Sequence, residues 1–199
     1  MLSGIIHLDC SYLGGVGDDT KAGLGTNKQT TVVAVSLDKG IYPRRIKLGI
    51  VSSENEKEIA SFALKNIKPN SYIKTDGGRG MKALGKERKD CEGKILYDEN
   101  GSPLKQYPFD VNSDNFDKNS DNLKWNHIFS TNIKSLIAGI YHGINTRYLD
   151  LILSEIEWRI NHRNVKIAEI KMFSLIRRGF TVDSITNKMF ISRYALNLL

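Results

Sequence analysis

Thr30-Thr31-Val32-Val33-Ala34-Val35-Ser36-Leu37 is the stretch on which the fold turns. It is rich in β-branched residues and nearly continuous in apolar character. Such a run reads as a strand buried on both faces, inside a sheet that helices cover. Outward from it, Asp38-Lys39-Gly40 marks a turn, and Arg45 to Val51 alternates as the second arm of a hairpin. Upstream, Ile5-Ile6-His7-Leu8-Asp9 is a short apolar strand ending in a carboxylate. A loop rich in glycine follows it (Gly14, Gly15, Gly17, Gly23, Gly25). Downstream, Ser53 and Glu56 have capping-box spacing. Ile59, Phe62, Ala63 and Ile67 then share one helical face, and Pro69-Asn70 ends that helix. Ser71 to Thr75 is a further strand, which delivers Asp76 just before Gly77-Gly78.

Three strands, a helix, a strand and then helices give a mixed sheet flanked by helices. The fold class is α/β, in the order of the ribonuclease-H-like fold, with a helical C-terminal extension. In that arrangement Asp9 and Asp76 stand at the ends of adjacent strands. Residues 85–122 read as polar and irregular. Asp110, Asn112 and Asp114 echo the start of a calcium loop, but Asn115 holds the glycine position and no Glu stands twelfth, so a mobile loop is the better reading. Helices are expected over about 123–137, 146–161 and 165–177. Thr181 and Ser192 are possible caps in the tail, loosely suggesting a helix-turn-helix beside the plainer reading of two packed short helices. Residues 1–164 are taken as one domain and 165–199 as a basic helical tail.

The chain has 199 residues and a net charge of +7. From Arg159 to Leu199, eight Lys/Arg stand against Glu169 and Asp183, a net of +6, which leaves about +1 for the rest. A basic segment on a nearly neutral body suits a polyanion, although a solvated helical face has the same composition. No run approaches the ~18 apolar residues of a spanning helix, so no membrane partner is expected. No signal peptide is evident. Two isolated cysteines, Cys10 and Cys91, point to a reducing, cytoplasmic setting.

The chain resembles the catalytic domain of DDE-type bacterial insertion-sequence transposases, the zinc-ribbon-associated group. Leu8-Asp9-Cys10-Ser11-Tyr12-Leu13-Gly14-Gly15 matches the family's opening Asp-x-x-Tyr-x-Gly-Gly. Gly23, Gly25, Thr26 and Lys28 match its Gly-x-Gly-Thr-x-Lys. Thr75-Asp76-Gly77 matches the motif after the fourth strand. Leu123, Lys124, Trp125, His127 and Lys134 match the next block, and Gly139, Tyr141, His142 and Gly143 the one after. Glu155 to Arg163 resembles the closing Glu-Phe-x-x-Arg-Phe-Asn-Arg-Arg. Each block is weak alone, but six in series over about residues 4–164 are specific. The chain departs from the family in three places. It starts at the first strand, without the usual N-terminal zinc ribbon or helix-turn-helix. Cys10 replaces a common acidic residue, and the basic C-terminal tail is unlike the family's usual ending; His127 stands where Glu is usual, as in relatives of the Asp-Asp-His/Asn-Lys variant.

The resemblance implies metal-dependent cleavage and strand transfer at the ends of an insertion sequence. It implies Mg2+ or Mn2+, as two ions, held by Asp9, Asp76 and His127, with Asn126 and Asn132 as rival third donors. Two ions that bridge attacking and leaving oxygens need such hard carboxylate ligands. Lys134 would touch the scissile phosphate, since seven residues is almost two helical turns from His127. Lys28, Tyr141, His142, Arg159, Asn161 and Arg163 are the candidates for contact with DNA. The structural alternatives are turn-capping aspartates, a buried His127 and a helix end at Tyr141-His142. Trp125 and Trp158 read as core rather than base-stacking groups. The implied partners are double-stranded DNA at the element ends and target, and further copies of the chain, in a nucleoid-associated setting. The alternatives are an inactive DNA-binding remnant and a simple ribonuclease-H-like nuclease.

Overall fold

The computed structural model describes residues 1–14, 28–113, 123–141 and 144–163. Within them, β1 (Ile5–Leu13), β2 (Gln29–Asp38) and β3 (Tyr42–Ile50) form an antiparallel meander. Helix α1 (Glu56–Asn66) crosses over to β4 (Ser71–Thr75), which lies parallel to β1, and β5 (Phe109–Asn112) adds parallel to β4. The sheet order is β3-β2-β1-β4-β5. The short α2 (Arg79–Lys82) follows β4. With α3 (Lys124–Tyr141) and α4 (Thr146–Asn161), this is the α/β, ribonuclease-H-like mixed sheet flanked by helices that the sequence implied.

Alternation along β1 sorts its side chains between two layers. Ile6 and Leu8 join Val32, Ala34 and Ile73 in a core with Ile59, Ala60, Phe62 and Ala63 of α1. On the other face, Leu13 packs with Ile133 and Ile137 of α3 and with Leu149, Leu153 and Ile156 of α4. Val33, Val35 and Ile46 take Phe129. Thr31 to Leu37 are all buried, as a strand covered on both faces must be.

Four local readings change. Strand β1 runs on to Leu13 instead of ending at Asp9, because Cys10 to Leu13 keep pairing with Val32 to Gln29. Asp9 is therefore mid-strand. The cap of α1 is Asn55, whose Oδ1 accepts the Glu58 N–H, while Ser53 Oγ accepts from the Asn55 amide. Residues 85–113 are not irregular throughout. Beyond α2 and a 3-10 turn (Ala83–Gly85), segments around Arg88, Leu96 and Leu104 bond to one another through backbone groups. Asp90 and Asp98 each close a tight turn by accepting the N–H groups two and four residues on. Asp110 to Asn112, read as part of a loop, lie in β5. Residues 114–122, His142 and the helices expected beyond Asn164 lie outside the described residues.

Strand β3 is an edge, and α4 covers it. The Asn161 amide accepts from the Ile46 N–H (2.8 Å) and donates to the Ile46 carbonyl (3.0 Å). Glu157 accepts the Leu48 N–H (3.1 Å) and pairs with Lys47. Two side chains one helical turn apart thus stand in for a neighbouring strand and blunt the edge.

The chain divides into two units between Asn161 and His162, the second described only at His162 and Arg163. No described helix is long and apolar enough to cross a membrane.

Candidate active site

Parallel pairing of β1 with β4 ends at Leu8 opposite Thr75. The next residue on each strand is an aspartate, so Asp9 and Asp76 come side by side where β4 stops. Gly77 turns the chain away with φ +84°, a backbone region that side chains disfavour. Asp76 then folds over its own turn, its Oδ1 accepting from the Gly78 N–H at 3.1 Å and from Thr75 Oγ1 at 3.3 Å. Asp9 Oδ1 accepts from the Cys10 N–H at 2.7 Å.

The pair carries an electrostatic conflict. Burial first, and then the Asp76 charge, raise the Asp9 pKa from 3.8 to about 6 against the opposing Cys10 N–H and His127. A buried carboxylate beside a second, exposed one resists ionising unless a proton or a cation intervenes. That is the donor set a magnesium-type ion takes, for such ions commonly use one or two protein carboxylates and complete their shell with water and substrate phosphate. Among the described residues, no three His, Cys, Asp or Glu side chains gather closely enough to hold an ion.

The third candidate lies on α3. Neighbouring residues on this helix have opposite fates. Asn126 is fully buried, and its Nδ2 donates to the carbonyls of Val33 (2.8 Å) and His7 (3.3 Å). His127 is exposed and close enough for its charge to be felt by Asp9. The reading of His127 as a buried structural histidine is therefore replaced, while Asn126 anchors α3 through its Nδ2 and keeps a buried Oδ1 that no described hydrogen bond uses. Asn132 and Lys134 are exposed further along α3.

One carboxylate went unread in the sequence. Glu54, on the β3–α1 connection, accepts a hydrogen bond from Tyr12 Oη at 2.8 Å. Burial and this bond push the Tyr12 pKa up to about 12. Burial, then Glu54, also raises Cys10 far above the usual thiol range, and Glu54 adds to the rise at Asp9. The backbone of Gly80 packs on Glu54 so closely that a Cβ there would lie 2.2 Å from the Glu54 carbonyl. The loop is thereby locked to the short helix after Asp76. An acidic residue at a strand-to-helix joint, with a tyrosine three residues after Asp9, was the available signal.

The candidates for DNA contact separate. Tyr141 closes α3, and its hydroxyl donates to Glu155 at 3.0 Å. Arg159 grips the same carboxylate through Nε at 2.9 Å and a terminal nitrogen at 2.7 Å. Lys28 is half-buried just before β2, and Arg163 is exposed. Asn161 is committed to the Ile46 backbone through both ends of its amide and so holds the fold. Trp125, half-buried at the edge of the core, donates its Nε1 to the Ile41 carbonyl at 2.7 Å and packs tilted against Phe129.

The family model described as the ISXO2-like transposase domain matches residues 1–161. No curated protein matches the chain. Among solved structures, the chain is similar to the catalytic core domain of BIV integrase. That likeness has 14% sequence identity and a TM-score of 0.46, and covers 88% of this chain and 98% of that one.

Proposed function

The chain belongs to the ISXO2-like transposase domain family, and from that premise we propose that it catalyses metal-dependent DNA cleavage and strand transfer at insertion-sequence ends. The observation that carries the reading is the side-by-side placement of Asp9 and Asp76 at the end of the parallel β1–β4 pair, where the Asp76 charge opposes ionisation of Asp9. Asp9 and Asp76 would hold Mg2+ or Mn2+, with His127 as the third protein ligand. When bound, such ions activate the attacking oxygen and stabilise the leaving one. His127, a softer donor than the usual Glu, tilts the preference toward Mn2+.

The protein's own groups do the rest. Exposed Lys134, nearly two turns along α3 from His127 and so about 10 Å away, supplies a cation to the phosphate under attack. Tyr141, Arg159 and Arg163, with Lys28, are assigned to the DNA backbone, where contacts position the duplex without reading its sequence. Arg159 must leave Glu155 to do so, a modest cost for an exposed pair. His142 is kept with this group. Double-stranded DNA at the element ends and target is the proposed partner, and a homo-oligomer bridging two ends is the proposed working form. The basic tail 165–199 is proposed as a second DNA-contacting domain.

The test is nicking and joining of labelled plasmid and short duplex DNA with EDTA, Mg2+ or Mn2+, beside Asp76→Asn. Metal-dependent nicking that the variant loses supports the reading. A folded, DNA-binding protein that nicks with neither ion is instead an inactive remnant, a reading that the lack of a gathered three-residue metal group favours among the described residues. Nicking without joining identifies a simple nuclease.

A further inference from the structure

Helix α3 packs along strands β1 and β2. Asn126 meets the backbone of His7 and Val33, and Ile133 and Ile137 pack with Leu13. One helical turn advances about 5.4 Å and two strand residues about 6.6 Å. Ser130, one turn beyond Asn126, therefore advances from Val33 to the level of Thr31, whose cross-strand partner is Ser11. Along this line α3 meets β1 through polar groups before the packing becomes apolar at Leu13.

Three hydroxyls in that seam are buried: Ser11 is 4%, Thr31 0% and Ser130 8% exposed. None of them hydrogen-bonds to another group of the protein among the described residues. Native proteins leave few buried polar atoms in that condition, and each one left alone is destabilising. Three such hydroxyls along one seam, with both donor and acceptor capacity, match the three hydrogen bonds that a buried water typically makes.

We propose that Ser11, Thr31 and Ser130 enclose one ordered water, and that this water, together with Asn126, fixes the register of α3 on β1. The seam then decides where His127 and Lys134 stand against Asp9, through a few directional bonds. That last consequence rests on the proposed assignment of those three residues to the active site. The water site does not.

The experiment compares wild-type full-length protein with Thr31→Val and Ser130→Ala. Thr31→Val keeps shape and strand preference and removes only the hydroxyl. The urea midpoint is expected to fall in each variant. For Ser130→Ala this is against the rise that helix propensity alone would give. The double variant should fall by less than the two singles together, because both hydroxyls share one partner. A high-resolution crystal structure of the wild type should show water density within hydrogen-bonding distance of all three hydroxyls. A raised midpoint in Thr31→Val, or a dry seam in the crystal, overturns the water site, and the crystal decides if a variant does not fold. In nicking assays Ser130→Ala should need several-fold more Mn2+ for half-maximal rate while the maximal rate changes little. An unchanged Mn2+ requirement overturns the positioning role. If the wild type nicks no DNA, the catalytic reading fails, while the midpoint and the crystal still decide the water.

Discussion

Asp9 costs the metal-free protein stability. Its pKa is raised to about 6 in the folded chain, chiefly by burial, against about 3.9 when unfolded. A raised carboxylate favours the folded state fully below the unfolded value and loses that contribution as pH rises through about 6. In EDTA, Asp9→Asn should therefore be more stable than wild type at pH 8, by at most about 2–3 kcal/mol. The difference should vanish below about pH 4, and urea titrations at the two pH values check it. Adding Mn2+ at pH 8 should raise the wild-type midpoint and leave Asp9→Asn nearly unmoved. Equal stability of the two proteins at pH 8 would show that the charges do not conflict. Gly80 gives a second expectation at this scale. A methyl group there meets the Glu54 carbonyl at 2.2 Å, so Gly80→Ala should cost about 1–3 kcal/mol, read from thermal unfolding. Asp9 and Asp76 were legible because a motif marked each and the end of β4 marked Asp76, although the expected strand end at Asp9 is mid-strand. Glu54 was not, because only folding brings Tyr12 to it across 42 residues of sequence.

Helix α4 acts as a surrogate strand. Asn161→Ala would leave the N–H and carbonyl of Ile46, whose side chain is fully buried, without partners, at a cost of about 1–3 kcal/mol. The same variant should bind DNA with unchanged salt dependence once folded. A steepened or flattened salt slope would place Asn161 in the DNA-contacting set. The chain from Lys86 to Gln106 makes the opposite case. Its side chains are exposed or at most half-buried, and its ties to α1 are Lys86 and Gln106 bonding Glu56. Replacing residues 87–105 by a short Gly-Ser linker should leave the thermal midpoint within a few degrees of wild type, whereas a collapse of cooperative unfolding would mean the insertion supports the core. The sequence marked β2, α1, β4 and α4 clearly, because each has a strong apolar period. It missed β5, which has four residues and only Phe109 fully buried. It also misplaced the cap of α1, because Ser53 and Asn55 are both good capping residues and only the backbone geometry selects Asn55.

For the whole molecule, charge is the property most open to test. Residues 164–199 carry six cations and two anions, a net of +4 out of +7. If the tail grips DNA, ending the chain at Arg163 should flatten the dependence of binding on salt. The log–log slope should drop by about 0.9 for each phosphate that the tail neutralises. An unchanged slope would mean that the tail touches no phosphates. The sequence by itself determined the α/β class, the order of the principal strands and helices, the two aspartates and the family pattern, because those depend on local periodicity and on spacing along the chain. It could not decide which polar residues face inward. Asn126 and His127 are neighbours of similar chemistry, yet one is sealed against β1 and β2 and the other is exposed near Asp9. That choice is made by the rotation of α3 on the sheet, which is set by bonds between residues more than ninety positions apart. The same holds for Asn161, Glu157 and Glu54. Their roles depend on which backbone edge or hydroxyl the tertiary structure brings to them, and no local pattern carries that information.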